Sequence, residues 1–105
     1  MSKMYILVRE AIVKKNRGHA INSIGHASLK CYLHGQNDKR MVDWVENSWR
    51  KVTCIVTDDE LLEAEKAGDY VKVTESDLEG DPLITLAFVP RDDYPEVFKT
   101  FKLFS

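Results

Sequence analysis

The stretch MYILVREAIVKKNRGHAINSIGHASLKCYL, residues 4–33, decides the fold of this chain. It opens on a short apolar run, Met4 to Arg9, whose β-forming side chains predict a central strand covered on both faces. Glu10 to Gly18 is basic and contains turn-forming residues, so we expect a loop there. Apolar residues then recur at helical spacing and predict a helix from about Arg17 to Leu33, which Gly35 ends. The expected buried face of this helix carries Ala20, Ile21, Ile24, Ala27, Cys31 and Tyr32.

Outward from this stretch, predicted strands and helices follow one another along the chain. Three further strands are predicted at Val52–Val56, Tyr70–Thr74 and Leu83–Val89. A short helix is expected to begin after Asn37 or Asp38, because both are favourable N-cap residues.

Two more helices are marked by residues near their ends. Thr57 and Glu60 have the spacing of a capping box, and Gly68 closes the helix that they begin. A last helix is expected to start at Asp92 or Asp93. The side chains expected to be buried by these two helices are Leu61, Leu62, Ala64, Val97, Phe98 and Phe101.

This order of elements predicts an α/β fold. With 105 residues, of which 44% are hydrophobic, the chain can bury one core, so we expect residues 1–105 to form a single domain. The expected architecture is a four-stranded mixed β-sheet with helices on both faces. The first two crossovers are expected to make parallel pairs, and the last two strands a hairpin.

Composition excludes several classes of protein. No apolar run approaches the roughly 20 residues that span a bilayer, so no membrane association is expected. Cys31 and Cys54 lie in segments with buried character, and no signal-peptide pattern is present, which favours a cytoplasmic protein over a disulfide scaffold. Net charge is −2, but residues 1–57 carry +6 and residues 58–105 carry −8. The basic half is either a surface for a polyanion or is neutralised by the acidic half in the fold.

A polar stripe follows one edge of the first predicted helix, because its residues are separated by four, three and four positions. It consists of His19, Ser23, His26 and Lys30. Such a stripe near a helix N-terminus is able to bind a phosphate or polarise a carbonyl, and the alternative is a solvated helix face. The two histidines lie about 10.5 Å apart along the axis, too far to share one metal ion. No metal or cofactor is therefore expected.

Two charged segments flank this helix in the sequence. Lys14, Lys15 and Arg17 precede the helix N-terminus, and Gly18 lets the backbone approach a ligand closely, which together suit a phosphate, and the alternative is a solvated loop. Four acidic residues crowd the segment between the last two strands, where they supply either a general base or an ordinary acidic turn. They are Glu75, Asp77, Glu79 and Asp81.

The first strand, the basic segment and the helix with His26-Ala27 resemble the type II peptidyl-tRNA hydrolases. That family has the pattern K-x-x-K-G-K-x-A-x-Q-x-x-H-A, of which this chain keeps Lys14, Gly18 and His26-Ala27 and has Arg17 in place of the second lysine. Further similar segments extend to the end of the chain. They are Trp49 to Val52, Asp58 to Leu62, Thr85 to Ala87 and Lys102 to Phe104.

The resemblance implies a four-stranded mixed sheet, a homodimer, and hydrolysis of the ester between a peptide and tRNA without a metal. His19 and Ser23 stand where the family has lysine and glutamine, and Asp77 is the aspartate that corresponds to the family's Asp-Ala-Gly-Arg-Thr loop. By this replacement, His19 is the candidate base or carbonyl donor, Ser23 orients the water, and Asp77 polarises His19.

Two alternatives to an enzyme remain open from the sequence. In one, the chain is an inactive binding module that holds a tRNA end, a nucleotide or another phosphorylated ligand through Lys14, Lys15 and Arg17, with an affinity that falls as salt is added. In the other, it is an adaptor that binds a partner through aromatic residues. The aromatic candidates are Trp44, Trp49, Phe98, Phe101 and Phe104, and their helical spacing favours burial in the core.

Overall fold

The strand Met4–Arg9, β1, lies at the centre of the sheet, as the sequence predicts. The computed structural model of the chain describes residues 2–74 and 83–105. Within these residues the sheet has five strands in the order β3-β4-β1-β2-β5. The other strands are β2 (Lys51–Val56), β3 (Tyr70–Thr74), β4 (Leu83–Phe88) and β5 (Lys102–Leu103). The expectation of four strands misses β5, because two residues are too few to produce a recognisable pattern.

The pairing of the strands makes the sheet mixed. β1 and β2 are parallel, which confirms the first predicted crossover, and β4 is antiparallel to both β1 and β3. The second predicted parallel pair is wrong. β3 runs in the same direction as β1 and β2, but β4 and β1 lie between it and β2 in the sheet. β3 and β4 are the antiparallel neighbours expected of a hairpin, and their connection lies outside the described residues.

Helices cover both faces of the sheet, as predicted. One face is covered by α1 (Glu10–Lys15), α2 (Arg17–Gly35) and α3 (Lys39–Asn47). The opposite face is covered by α4, Asp58–Glu65, and a 3₁₀ helix, Glu96–Thr100.

Alternating side chains of β1 fill the two cores. Met4, Ile6 and Val8 pack towards α1, α2 and α3. Tyr5 and Leu7 pack towards α4 and the 3₁₀ helix. All five side chains are buried, so the apolar run predicts the strand correctly as one that is covered on both faces.

The segment predicted to be a basic loop is mostly helical. α1 occupies Glu10–Lys15 and buries Ile12 and Val13, and the chain breaks from helical geometry at Asn16 before α2 begins. Burial of two apolar side chains against the sheet stabilises this short helix, although its local sequence contains turn formers.

Two predicted helix faces need correction. Ile21 and Tyr32 of α2 are exposed, whereas Ser23 is buried, so the helix is rotated relative to the expected apolar face. On α4, Leu61 and Ala64 are buried as predicted, but Leu62 is 63% exposed.

The helix ends show which local signals are reliable. Asp38 caps α3, and Thr57 with Glu60 forms the complete capping box of α4, as the sequence predicts. α2 ends at Gly35, two residues beyond Leu33. The predicted last helix is only the 3₁₀ helix Glu96–Thr100, which still buries Phe98.

Candidate active site

A cleft of about 270 Å³ lies where α2 packs beside the end of β3 and the start of β4. The α2 side chains in its wall are two imidazoles, one amide and one hydroxyl. The lining residues are His19, Asn22, Ser23, His26, Val73, Thr74 and Ile84. Polar groups that converge on a concave surface are the usual composition of a ligand site.

The local sequence explains why the polar α2 residues meet in this cleft. The side chain of Asn16 accepts a hydrogen bond from the backbone N–H of His19 at 3.0 Å, and this cap fixes the start of α2. From His19, the residues three, four and seven positions later lie on the same edge of the helix. These residues are Asn22, Ser23 and His26, so one edge of the helix supplies the four polar α2 side chains of the cleft.

Ser23 ties the helix to the sheet at the floor of the cleft. Its Oγ donates to the carbonyl oxygen of Ala20 at 2.6 Å and lies 2.7 Å from Oγ1 of Thr85. Because Ser23 donates its single hydroxyl hydrogen to the carbonyl oxygen of Ala20, Thr85 is the donor in the second hydrogen bond. Ser23 therefore has one acceptor lone pair left for a ligand or water and no proton to donate.

The structure places both candidate histidines on the cleft. His19 lies in the first turn of α2 and is half-buried, and His26 lies two turns further along and is exposed. An imidazole takes or gives a proton in the physiological pH range, so either group is chemically suited to act on a water molecule or a carbonyl.

The chain matches the family model described as Peptidyl-tRNA hydrolase PTH2 over residues 2–78. The chain belongs to the type II peptidyl-tRNA hydrolase family. The matched range includes β1, α2 and β3, and thus the α2 and β3 walls of the cleft. No curated protein matches this chain.

In this family member, Arg17 is held by residues near the end of the chain. Its guanidinium carbon lies 4.7 Å from the centroid of the Phe104 ring, and Nη2 donates to the carbonyl oxygen of Ser105. Arg17 is the first residue of α2, two positions before His19. Its guanidinium remains exposed at the N-terminal end of the helix that forms the cleft.

The remaining cationic candidates are spread around α2. Nζ of Lys14 lies 3.5 Å from Oε1 of Glu10, and Lys14 lines a different cleft together with Asp58. Lys15 is exposed at the end of α1. Lys30 donates from Nζ to the backbone carbonyl of Lys72 on β3 at 2.7 Å.

Gly18 has helical geometry in the first turn of α2, with no positive φ. A Cβ at this position would make only ordinary contact, 3.7 Å from Oδ1 of Asn16. The fold itself therefore does not require glycine at this position. Close approach of a ligand to the backbone is the reason that the sequence suggests for it.

Asn22 and Thr74 line the cleft but were not among the residues predicted for the site. Asn22 follows His19 by three positions, so helical spacing already places it on the same edge of α2. Thr74 is brought to the cleft by tertiary packing, which spacing along the chain does not reveal. Asp77, the predicted partner of His19, lies outside the described residues.

Burial excludes the two thiols from nucleophilic chemistry at neutral pH. Burial raises the pKa of Cys31 to about 12 and that of Cys54 to about 11, so both remain protonated. This confirms their interpretation as small buried side chains. Among residues 2–74 and 83–105, no three His, Cys, Asp or Glu side chains are grouped to hold a metal ion. In the same ranges, no helix has the length and apolar character to cross a membrane.

Proposed function

We propose that the protein hydrolyses the ester between a peptide and tRNA, with the cleft beside α2 as its active site. The observation that supports this proposal is the cleft itself: in a chain of the peptidyl-tRNA hydrolase family, two imidazoles and an amide face one concave surface. Two of the positions at which this chain departs from the family pattern, His19 and Ser23, line that surface.

In the proposed mechanism, His19 takes a proton from water as the water attacks the ester carbonyl. Asn22 lies one turn away and donates from its amide to the oxyanion that develops. Ser23 accepts a hydrogen bond from the attacking water through its free lone pair, which orients the water without proton transfer. Asp77 orients the His19 imidazole. The tetrahedral intermediate then collapses: the bond between the carbonyl carbon and the ribose oxygen of tRNA breaks, and His19 returns its proton to that oxygen, which releases the peptide acid and the free tRNA.

The tRNA backbone is proposed to contact the N-terminal end of α2. The N–H groups of the first turn, including that of Gly18, and the guanidinium of Arg17 attract phosphate. Lys15, at the end of α1, and Lys30, on α2, are exposed and add positive charge, and the exposed His26 imidazole adds a hydrogen-bonding group. Lys14 contributes at longer range, because it already lies near Glu10. The family resemblance further implies a cytoplasmic homodimer, which light scattering on the purified protein tests for assembly.

An assay with N-acetyl-aminoacyl-tRNA tests the catalytic role of His19. We expect His19→Ala to lower kcat by about 100-fold or more, the usual range for loss of a general base. The matched control is His34→Ala, because His34 is exposed on the same helix and lies outside the residues that line the cleft. His34→Ala should hydrolyse the substrate at the wild-type rate, and circular dichroism verifies that both variants are folded.

Two results contradict this mechanism in different ways. A His19→Ala variant with wild-type kcat removes His19 from the chemistry. A wild-type protein that binds acylated tRNA in a salt-dependent manner without releasing the acyl group is instead the binding module. In that case Arg17→Ala should weaken binding and reduce its salt dependence, because a phosphate contact is lost.

A further inference from the structure

A second concave surface, the aromatic groove, lies between α2 and α3 and shares no residue with the cleft. Its volume is about 450 Å³. Its walls combine apolar side chains, three of them aromatic, with one cation. Residues in these walls include Leu29, Tyr32, Trp44, Val45, Trp49 and Lys51.

Trp49 occupies this groove with an unfavourable backbone. Its φ is 64°, in the left-handed region that side chains larger than glycine rarely adopt. The residue follows α3, and its N–H donates to the carbonyl oxygen of Trp44 at 3.0 Å, which is the helix-ending position that glycine usually takes. Trp49 is nevertheless 61% exposed, so burial does not offset the conformational cost. Strain of this kind that packing does not explain is typical of a ligand-contacting position.

Trp44 provides a fixed surface beside Trp49. It is buried, and its indole N–H donates to the carbonyl oxygen of Arg50 at 2.8 Å, which sets the orientation of the ring. The Trp49 ring centroid lies 5.4 Å from that of Trp44, with the planes inclined by 35°. One face of the exposed Trp49 ring is therefore available to a flat ligand.

The charge of the groove selects the kind of ligand. Lys51 is the cationic wall, with Nζ 6.0 Å from the centroid of the Trp44 ring. Among the described residues, no carboxylate lies within ion-pair distance of this ammonium, and none of those that line the groove is acidic. A groove that offers stacking surface together with an unpaired cation is complementary to an aromatic anion, and an unpaired nucleotide combines these two properties.

We propose that the aromatic groove binds an unpaired nucleotide of RNA, with the base stacked on Trp49 and the phosphate beside Lys51. The identity of that RNA as the single-stranded end of tRNA rests on the proposed function. The groove gives the enzyme a contact with the substrate on a surface separate from the cleft. It thereby selects for an exposed base, which phosphate contacts alone do not distinguish.

The experiment measures fluorescence anisotropy of a dye-labelled single-stranded RNA tetranucleotide of sequence ACCA. Its matched control is an abasic tetranucleotide with the same phosphates. The wild-type protein is expected to bind the ACCA probe at least about tenfold more tightly, since stacking of one base contributes roughly this factor or more. Lys51→Gln should weaken binding of both probes and reduce the salt dependence, because a phosphate contact is lost.

Variants at position 49 separate stacking from stability. Trp49→Gly should lower affinity for the ACCA probe about tenfold, yet melt at or above the wild-type temperature, because glycine adopts the positive φ without strain. Trp49→Phe keeps an aromatic face and should retain most of the affinity. Leu62→Ala is the matched control, since Leu62 is equally exposed but lies on α4 away from the groove; it should bind as the wild type does.

Three results overturn the proposal: no binding of either probe, equal affinity for the ACCA and abasic probes, or unchanged affinity in Trp49→Gly. If Trp49→Gly instead converts a homodimer to monomers and leaves RNA affinity unchanged, the groove is a self-association surface. The hydrolysis assay is independent of this measurement. If the protein binds the ACCA probe by stacking but does not hydrolyse the ester, nucleotide binding by the groove is supported and the proposed function is contradicted. If it hydrolyses the ester but shows no stacking, the proposed function is supported and nucleotide binding by the groove is contradicted.

Discussion

At the scale of single residues, Ser23 shows how a polar side chain becomes part of the core. The residue is 3% exposed, and the facing Thr85 is completely buried. Each hydroxyl satisfies part of the hydrogen-bonding capacity of the other, and the carbonyl oxygen of Ala20 accepts a hydrogen bond from the Ser23 hydroxyl. Burial of these groups is tolerated because they are paired. The pair fixes the position of α2 against β4 at the cleft.

We expect Ser23→Ala to lower the free energy of unfolding by about 1–3 kcal/mol, because it leaves the Thr85 hydroxyl buried without its partner. Thr85→Val alone should also destabilise the protein. The double variant should cost less than the sum of the single changes, since no unpaired hydroxyl remains. Urea unfolding of the four proteins measures these energies. Additive energies would show that the two hydroxyls do not interact in solution.

The site could be predicted from sequence only as far as helical spacing reaches. Spacing correctly placed His19, Ser23 and His26 on one edge of α2. It did not give the rotation of the helix, because Ile21 and Tyr32 look like core residues and Ser23 looks like a surface residue. Rotation is set by packing against the sheet, where small side chains such as Ala20 and Ala27 permit close contact.

At the scale of elements, local signals were reliable where a side chain caps a helix and unreliable where tertiary packing decides. Asp38 and the capping box at Thr57 both lie where their sequence patterns predict. α1 was missed because six residues are too few for a periodic pattern, and contacts of Ile12 and Val13 with the sheet are what stabilise it. Segments this short are determined by the rest of the fold.

Asp38 makes the stability of α3 dependent on acidity. Hydrogen bonds from the Arg40 side chain and backbone N–H lower the pKa of Asp38 to about 2, below its ordinary value of 3.8. The ionised carboxylate therefore stabilises the fold above about pH 4, and this contribution is lost as the pH falls towards 2. We expect Asp38→Ala to lower the free energy of unfolding by about 1 kcal/mol at pH 7.

The difference between wild type and Asp38→Ala should shrink between pH 4.5 and 2.5, as urea unfolding at each pH will show. Asp38→Asn is the matched control. Asparagine keeps a cap for α3 but has no charge to titrate, so its stability relative to Asp38→Ala should not change over this range. A wild-type advantage that is constant with pH would assign the whole effect of Asp38 to geometry and none to its charge.

At the scale of the whole molecule, the fold brings the segment around Phe104 to the start of α2. β5 pairs with β2 at the sheet edge, and the backbone N–H of Phe104 then donates to the carbonyl oxygen of Thr53 at 2.9 Å. The Phe104 ring packs on the core beneath α1 and α2, with Arg17 above it. The sequence predicts phosphate binding for Arg17 and burial in the core for Phe104, and no pattern in it connects the two residues. Contacts between residues so distant in the chain depend on the order of strands.

We expect Arg17 and Phe104 to be energetically coupled. A guanidinium over an aromatic ring at an exposed site contributes about 0.5–1 kcal/mol, so a double-mutant cycle of Arg17→Ala and Phe104→Ala should give a coupling energy of this size in urea unfolding. The matched control is the cycle of Arg17→Ala with Leu103→Ala. Leu103 is the exposed residue of β5 that directly precedes Phe104, and this cycle should be additive. If Phe104 also orients Arg17 towards phosphate, Phe104→Ala should raise KM for tRNA in the wild-type background but not in Arg17→Ala. An additive Arg17–Phe104 cycle with unchanged KM would mean that the two side chains lie together without influencing either stability or substrate binding.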